Sequence, residues 1–356
     1  MSDVSLVTGF PRYLPRRIAQ GLLAREDRSV RLLVQDQHVA EARAFRDQLT
    51  EAEQKRLTVL SGDVASMHLG LSTGELRELS KGLTQVWHLA EWSYLGAEAR
   101  EMTRVNVEGT KAVLDLAADC RRLERVNHFS SVFVSGDRVG VVAEDELASG
   151  QSFRNAYEES KFEAEILVRR AMGQLPCTVL RPSIVVGDSR TGEIDKFEGP
   201  YAIAMLLVTS PLQVPVPLPG DGVAPLNVVP LDYVVAAALQ IGQDPRAIGR
   251  TFHLVDPSPS SSRRVYELIA QRAGKKLPRL SLGYKITDAL LKIPGLERLT
   301  REQRMAIAYV NHLSFFASRN TLELLDGTGV RCPPIESYLD NLMEYVKEFY
   351  RKKREA

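Results

Sequence analysis

Short strand-like runs alternate with helical segments through the first half of the chain, and this alternation constrains the fold most. Strands are predicted at 4–8, 30–34, 57–60, 85–89, 126–129 and 177–180, and helices at 12–24, 39–56, 105–120 and from residue 155. Strands that alternate with long helices indicate βαβ units, whose crossovers are right-handed. The sequence therefore predicts an α/β fold with a doubly wound, Rossmann-type parallel sheet.

The alternation ends near residue 188, and a smaller mixed α/β portion is expected beyond it. Pro and Gly accumulate over 210–230, a strand is predicted at 251–255, and helices are predicted near 263–273, 300–311 and 336–350. Long loops of this kind are often functional. We expect residues 1–187, with about 225–255, to form the Rossmann domain, and residues 188–224 and 256–356 to form the smaller portion.

Composition argues against several kinds of partner. With 46 basic and 45 acidic residues the net charge is +1, so nucleic acid is not an expected partner. The three cysteines, Cys120, Cys177 and Cys332, are widely spaced, which favours a reduced cytoplasmic setting and no metal site. No secretory leader is apparent, and the apolar stretch 201–208 is far shorter than the ~20 residues of a membrane span.

Tyr157 and Lys161 are the strongest candidates for chemistry. They lie four residues apart in a predicted helix, so they share one face a single turn apart. An ammonium beside a phenol is expected to lower the phenol's pKa from ~10 towards neutrality by a few units at most. Such a phenol can act as a general acid or base. Because this spacing is also common on solvated helix faces, the surroundings decide between the two interpretations.

The turn after the first strand stands where a Rossmann-type phosphate site would lie. Such turns bind a pyrophosphate on backbone N–H groups and need Gly at close approaches. Residues 8–15 keep one such glycine, and Arg12 and Pro15 replace the other two. A guanidinium can pair with phosphate, although a plain turn with a solvated Arg is the alternative. The cofactor candidates here are Thr8, Gly9, Arg12, Tyr13 and Leu14.

Polar residues also follow other predicted strands. Asp63 could accept a hydrogen bond from an adenine amine or simply cap its loop. Gln35 and Asp36 favour a free ribose hydroxyl over a 2′-phosphate, and hence NADH over NADPH. Ser131, with Ser130 beside it, could bond a substrate carbonyl oxygen or serve only in a turn.

The order of these motifs resembles the extended short-chain dehydrogenase/reductase superfamily over about residues 4–255. The motifs are the Thr8-Gly9 turn, Gly62-Asp63-Val64, His88-Leu89-Ala90, Asn106-x-x-Gly-Thr, Ser130-Ser131, Tyr157-x-x-x-Lys161 and the segment 181–188. Segments 135–140, 181–193 and 225–234 are similar to the branch with fatty acyl-CoA reductases and thioester-reductase domains.

The resemblance implies a role for each matching residue. Tyr157 would donate the proton, Lys161 would lower its pKa and hold the nicotinamide ribose, and Ser131 would bind the carbonyl oxygen. Asn106 would help to position Lys161 through a water or a backbone contact. The remaining cofactor contacts would be Asp63 and Val64 at the adenine, Leu89 and Ala90, and Pro182, Ser183, Ile184 and Val185 along the nicotinamide.

We therefore expect an NAD(P)H-dependent oxidoreductase that transfers hydride to the carbonyl of a hydrophobic acyl thioester or aldehyde, CoA- or carrier-bound where it is a thioester. Trp92 and Tyr94, with segments 305–310 and 313–316, could form an apolar substrate wall, although such stripes also suit the small domain's core. The alternatives are a ring ketone of a quinolone- or steroid-like metabolite as substrate, and a non-catalytic dinucleotide-binding scaffold. A homodimer is a possible assembly.

Overall fold

Seven parallel strands form the main sheet of the computed structural model, which describes residues 3–94, 97–195, 221–274, 309 and 311–355. The strands are β1 (Asp3–Thr8), β2 (Arg28–Val34), β3 (Leu57–Ser61), β4 (Leu83–His88), β5 (Arg125–Phe129), β6 (Gly140–Val142), β7 (Cys177–Pro182), β8 (Ile184–Val186), β9 (Val228–Pro230), β10 (Thr251–Leu254) and β11 (Ser314–Phe316). In the main sheet the order is β10-β7-β5-β4-β1-β2-β3. The predicted doubly wound α/β fold is confirmed.

Helices cover both faces of this sheet. They are α1 (Tyr13–Leu23), α2 (Val39–Asp47), α3 (Glu51–Arg56), α4 (Thr73–Gly82), α5 (Ala99–Met102), α6 (Gly109–Asp119), α7 (Ala156–Ala171), α8 (Leu231–Ile241), α9 (Ser262–Arg272), α10 (Arg319–Leu325) and α11 (Leu339–Glu355). Successive side chains of β1 point to opposite faces, so Val7 joins the core with α1, α2 and α8, and Leu6 the core with α4, α6 and α7. Burial on both faces explains why the strands read as nearly continuous apolar runs.

The strand order reverses between β1 and β4, and this reversal defines where a ligand can bind. β1 pairs with β2 on one side and with β4 on the other, both in parallel. In open parallel sheets, ligands bind outside the carboxyl ends of the strands at such a switch point. The residues that follow β1, β4, β5 and β7, which the sequence singled out, meet at this edge.

Two predicted helices differ from the structure. The single helix predicted over 39–56 is wrong, because α2 ends at Asp47 and α3 begins at Glu51. Thr50 starts the second helix through a capping box, in which its Oγ1 accepts the Glu53 N–H at 3.3 Å and a Glu53 carboxylate oxygen accepts the Thr50 N–H at 3.0 Å. The helix predicted over 105–120 begins as a π-helical turn, Thr103–Glu108, and continues as α6.

The smaller portion contains two parallel strand pairs, β6 with β11 and β8 with β9. Helices α9 and α11 share a separate apolar core with β8 and β9. The helix predicted near 300–311 and the apolar stretch 201–208 lie almost wholly outside the described residues, and the division into two domains stays a prediction. Among the helices that the structure describes, each is too short or too polar to cross a membrane.

Candidate active site

Helix α7 carries Tyr157 and Lys161 on the face that it turns towards the sheet. Asn155 begins the helix by accepting the Glu158 N–H on its side-chain oxygen at 3.1 Å. Lys161 is 3% exposed and Glu165, one turn further along, is fully buried. The motif is therefore on the buried face of a helix, which decides against the solvated-face interpretation.

A buried ion pair fixes α7 against β5 and β7. Glu165 accepts two hydrogen bonds from the Arg181 guanidinium, at 2.9 and 2.6 Å, and one from the Ser130 hydroxyl at 2.6 Å. Arg181 is only 1% exposed, and its Nη1 lies 3.1 Å from Nε2 of His253 on β10. Because bidentate pairs fix orientation as well as distance, this cluster fixes the position of α7 relative to the ends of β5 and β7.

The Tyr157 phenol, the Lys161 ammonium and the Ser131 side chain lie close together around Glu91 and the end of β5. The Ser131 side chain lies near enough to the Tyr157 phenol to act on its pKa, and the phenol donates to a carboxylate oxygen of Glu91 at 3.4 Å. Lys161 donates to the Phe129 carbonyl at 2.6 Å, and its Nζ lies 3.1 Å from Glu91 Oε2. The structure thus brings the predicted residues Tyr157, Lys161 and Ser131 together.

The expected lowering of the Tyr157 pKa by Lys161 is wrong for this structure. Burial, followed by the Glu91 carboxylate, raises the pKa of Tyr157 well above its usual value, and the neighbouring Ser131 side chain only partly opposes this rise. Burial also raises the pKa of Glu91, but the Lys161 ammonium and the Arg12 guanidinium outweigh it and hold that carboxyl ionised. The Lys161 ammonium, which was expected to act on the phenol, is therefore paired with the Glu91 carboxylate instead.

Asn106 holds a loop rather than contacting Lys161. Its side-chain oxygen accepts the Trp92 N–H at 2.7 Å, and its amide nitrogen donates to the Trp92 carbonyl at 3.1 Å and to the Ser160 hydroxyl at 2.9 Å. Ser160 is the chain neighbour of Lys161, and the predicted link from Asn106 to Lys161 through a water or a backbone contact stays a prediction. Asn106 thereby joins the loop after β4 to helix α7.

The turn after β1 is built tightly against the end of β4. Thr8 Oγ1 accepts the N–H groups of Leu89 and Ala90 at 3.1 and 3.0 Å, and lies 2.9 Å from Nδ1 of His88. Gly9 has a φ of +97°, and a Cβ there would lie 2.8 Å from the Leu89 carbonyl. Only glycine allows this close approach of the two backbone segments. The Thr8 hydroxyl is hydrogen-bonded to backbone N–H groups of the protein itself.

Arg12 and the start of α1 are paired with acids of the protein. Arg12 Nη1 donates to the Ser93 hydroxyl at 2.6 Å and lies 3.7 Å from Glu91, and its Nε lies 3.8 Å from Asp195. The Tyr13 N–H donates to Asp195 at 3.1 Å, and the Tyr13 hydroxyl bonds to Glu193. Leu14 packs against the core. The groups that were predicted to bind phosphate are thus in contact with carboxylates of the chain, and their contact with a cofactor stays a prediction.

The predicted adenosine end lies where β2 and β3 finish side by side. Gln35 donates to one Asp63 oxygen at 3.0 Å, and the Ala65 N–H donates to the other at 2.9 Å. Asp36 is exposed and accepts from the Ser61 hydroxyl. Val64 is buried. Asp63 therefore caps its loop and contacts Gln35, and the predicted contact with adenine stays a prediction.

A nicotinamide dinucleotide fits this edge in one further respect. Pro182, the last residue of β7, and Ser183 are buried, while Ile184 and Val185 in β8 are partly exposed. The Ser183 hydroxyl is buried without a hydrogen-bond partner among the described residues, so it is available to a polar group of a ligand.

The predicted substrate residues lie in different settings. Trp92 and Tyr94 are 41% and 40% exposed in the loop after β4, and Ser131 is buried beside Tyr157. The Tyr309 ring packs against the ring of Phe133, which is two residues beyond Ser131, at a centroid distance of 4.4 Å and an interplanar angle of 59°. Residues 305–308 lie outside the described chain. Contact of any of these with a substrate stays a prediction.

Sequence reasoning missed two residues that organise the site, Glu91 and Glu165. Glu165 could have been found, because it follows Tyr157 and Lys161 at the same four-residue interval. Glu91 gave a weaker signal, an acid two residues beyond a predicted strand at its ligand-facing end.

Comparison with known proteins agrees with this geometry. A family model of NAD-binding proteins, described as male sterility protein, matches residues 7–238, more than half of the chain. A linear gramicidin synthase protein of Brevibacillus parabrevis is 24% identical over 94% of this chain and 7% of that protein. Fatty acyl-CoA reductase wat of Drosophila melanogaster is 27% identical over 53% of this chain and 41% of that protein. The chain thus spans less than half the length of either relative.

One solved structure is similar over nearly the whole length of both chains. It is the terminal R domain from the myxalamid PKS-NRPS biosynthetic pathway, which is 25% identical with a TM-score of 0.83 and covers 98% of this chain and 91% of that one. The chain therefore belongs to the male sterility protein family of NAD-binding proteins, a branch of the extended short-chain dehydrogenases/reductases.

Proposed function

We propose that this chain reduces the carbonyl group of a hydrophobic acyl thioester or aldehyde, with Tyr157 as the proton donor. The observation that carries the proposal is the meeting of the Tyr157 phenol, the Ser131 hydroxyl and the Lys161 ammonium at the switch point of the sheet. The same family includes a reductase named for fatty acyl-CoA. CoA and carrier proteins are the expected thioester partners.

The chain's own groups act on the carbonyl oxygen. Bound NAD(P)H supplies a hydride to the carbonyl carbon. The Ser131 hydroxyl hydrogen-bonds to the oxygen on which charge develops, and Tyr157 transfers its proton to that oxygen. Because burial and Glu91 raise the pKa of Tyr157, the phenol stays protonated, as a donor must. With a thioester the resulting hemithioacetal releases the thiol, and an aldehyde remains.

The residues at the end of β2 support NADH as the preferred cofactor. Asp36 is an exposed carboxylate beside Ser61, and Gln35 carries no positive charge. A carboxylate accepts from a free ribose hydroxyl and repels a 2′-phosphate. Titration by nicotinamide fluorescence is expected to give a lower Kd for NADH than for NADPH. Asp36→Ala is expected to reduce the difference between these two Kd values.

The test of the reaction is turnover of a carbonyl panel with each cofactor. The panel contains a long-chain acyl-CoA, a long-chain aldehyde, an aromatic ring ketone and a nucleotide sugar. Tyr157→Phe is expected to lower turnover by roughly 10²–10⁴-fold, the usual contribution of a general acid, and to retain cofactor binding. Tyr233→Phe, the same change in the buried face of α8, is the matched control.

Each outcome of the panel selects a function. Turnover of the ring ketone alone would favour a reductase of cyclic metabolites, and turnover of the nucleotide sugar alone would contradict a hydrophobic substrate. Full activity in Tyr157→Phe would contradict the role of that phenol. A wild-type chain that binds neither dinucleotide would favour the scaffold.

A further inference from the structure

The carboxylate of Glu91 lies beside the Lys161 ammonium, the Tyr157 phenol and the Arg12 guanidinium. Its Oε2 lies 3.1 Å from Lys161 Nζ and accepts from the Tyr157 phenol at 3.4 Å, and its Oε1 lies 3.7 Å from Arg12 Nη1. The side chain is 24% exposed, so it is not part of the core. None of these contacts follows from the Tyr-x-x-x-Lys motif.

Two acceptors of the protein, the Phe129 carbonyl and the Glu91 carboxylate, already lie within reach of the Lys161 ammonium. An ammonium has three protons. One goes to the Phe129 carbonyl at 2.6 Å, a second is directed at Glu91, and the Lys161 side chain is only 4% exposed. A sugar diol that binds Lys161 through both hydroxyls needs two protons, so it has to take the one that Glu91 holds.

A second carboxylate, that of Asp195, lies beside Arg12 and the start of α1. Asp195 accepts the Tyr13 N–H at 3.1 Å and lies 3.8 Å from Arg12 Nε. A helix N-terminus with a guanidinium beside it favours an anion. Two carboxylates of the chain, Glu91 and Asp195, therefore share the positive groups that a dinucleotide's ribose and pyrophosphate would engage.

We propose that Glu91 sets the affinity for the dinucleotide by competing with it for Lys161. Its carboxylate holds the position on the ammonium that the ribose hydroxyls take, and it gives up Lys161 when the dinucleotide binds while remaining near Arg12. Its negative charge also opposes the pyrophosphate, so both effects weaken binding. The proposal rests on the proposed function for the choice of ligand, and it concerns binding rather than proton transfer.

The experiment is fluorescence titration of the full chain with NADH and with NADPH. Glu91→Gln keeps the shape of the side chain and removes its charge, and we expect its Kd to fall about tenfold, which corresponds to 1.4 kcal/mol. Glu51→Gln is the matched control, because it removes the same charge from an exposed pair with Lys55 at 2.7 Å. Its Kd is expected to equal that of the wild type. An unchanged or raised Kd in Glu91→Gln, in a variant whose thermal unfolding matches the wild type, overturns the proposal.

A double-mutant cycle with Lys161→Met separates competition from general charge repulsion. If Glu91 competes for Lys161, the gain from Glu91→Gln largely disappears when Lys161 is absent. A gain of the same size in the Lys161→Met background overturns the proposal. Because these are binding measurements, tighter binding in Glu91→Gln together with full turnover in Tyr157→Phe would support this inference while contradicting the proposed role of Tyr157.

Discussion

Removal of the Glu165 carboxylate is expected to destabilise the whole fold. In Glu165→Ala the Arg181 guanidinium, 1% exposed, loses two hydrogen bonds and its counter-charge, and the Ser130 hydroxyl loses its acceptor. Breaking a buried ion pair from one side costs about 3–5 kcal/mol, because a charge stays buried without compensation. We expect a loss of that size in the free energy of unfolding, measured by urea denaturation followed by circular dichroism.

Two comparisons test the reasoning behind that magnitude. Glu323→Ala removes a carboxylate that pairs with Arg250 at 3.1 Å but is 57% exposed, so its cost should stay below about 1 kcal/mol. The double variant Glu165→Ala with Arg181→Met removes both buried charges and should be less destabilised than the sum of its single variants. A cost below about 1 kcal/mol for Glu165→Ala, or strictly additive costs, would refute the reasoning.

Three further predictions follow from the same structure. Burial lowers the pKa of His88 to about 3, so the unfolded chain takes up a proton that the folded chain does not as pH falls below about 6.5. That one group should cost about 1.4 kcal/mol of unfolding free energy at pH 5.5 relative to neutral pH, and a pH-independent urea midpoint between neutrality and pH 5 would contradict it. Gly9→Ala places a Cβ 2.8 Å from the Leu89 carbonyl at a positive φ, so we expect a loss of about 1–3 kcal/mol in stability and weaker NADH binding, and wild-type values for both would count against a close approach there. Asn106→Ala removes the bonds to Trp92 and Ser160 and should lower the unfolding free energy by about 1–3 kcal/mol, whereas an unchanged thermal midpoint would argue that this loop does not depend on it.

Local patterns in the sequence were sufficient to predict the architecture and part of the candidate site. The strand runs and the helices between them repeat often enough that the parallel sheet follows from connection rules alone. The four-residue spacing of Tyr157 and Lys161 places both on one helix face whatever the helix packs against. The break at Thr50 was missed, although the capping box that causes it is a local signal.

Contacts between distant segments could not be predicted from the sequence. Glu91, Arg12 and Tyr157 lie in three separate loops and helices, and only the reversal of strand order at β1 and β4 brings them within reach of one another. Asn106 donates a hydrogen bond to Ser160 and not to Lys161. This contact depends on how the π-helical turn packs against α7.

Periodicity along the chain is enough to predict the sheet and the helix that carries Tyr157 and Lys161, and residue identity supplies the chemical type of the groups at the switch point. The direction in which the Tyr157 pKa moves, and the anions that contact Lys161 and Arg12, depend on the folded arrangement. Burial and charge act through space, so burial, followed by a carboxylate 66 residues away in the chain, Glu91, raises the pKa of Tyr157 although a lysine lies one helical turn away.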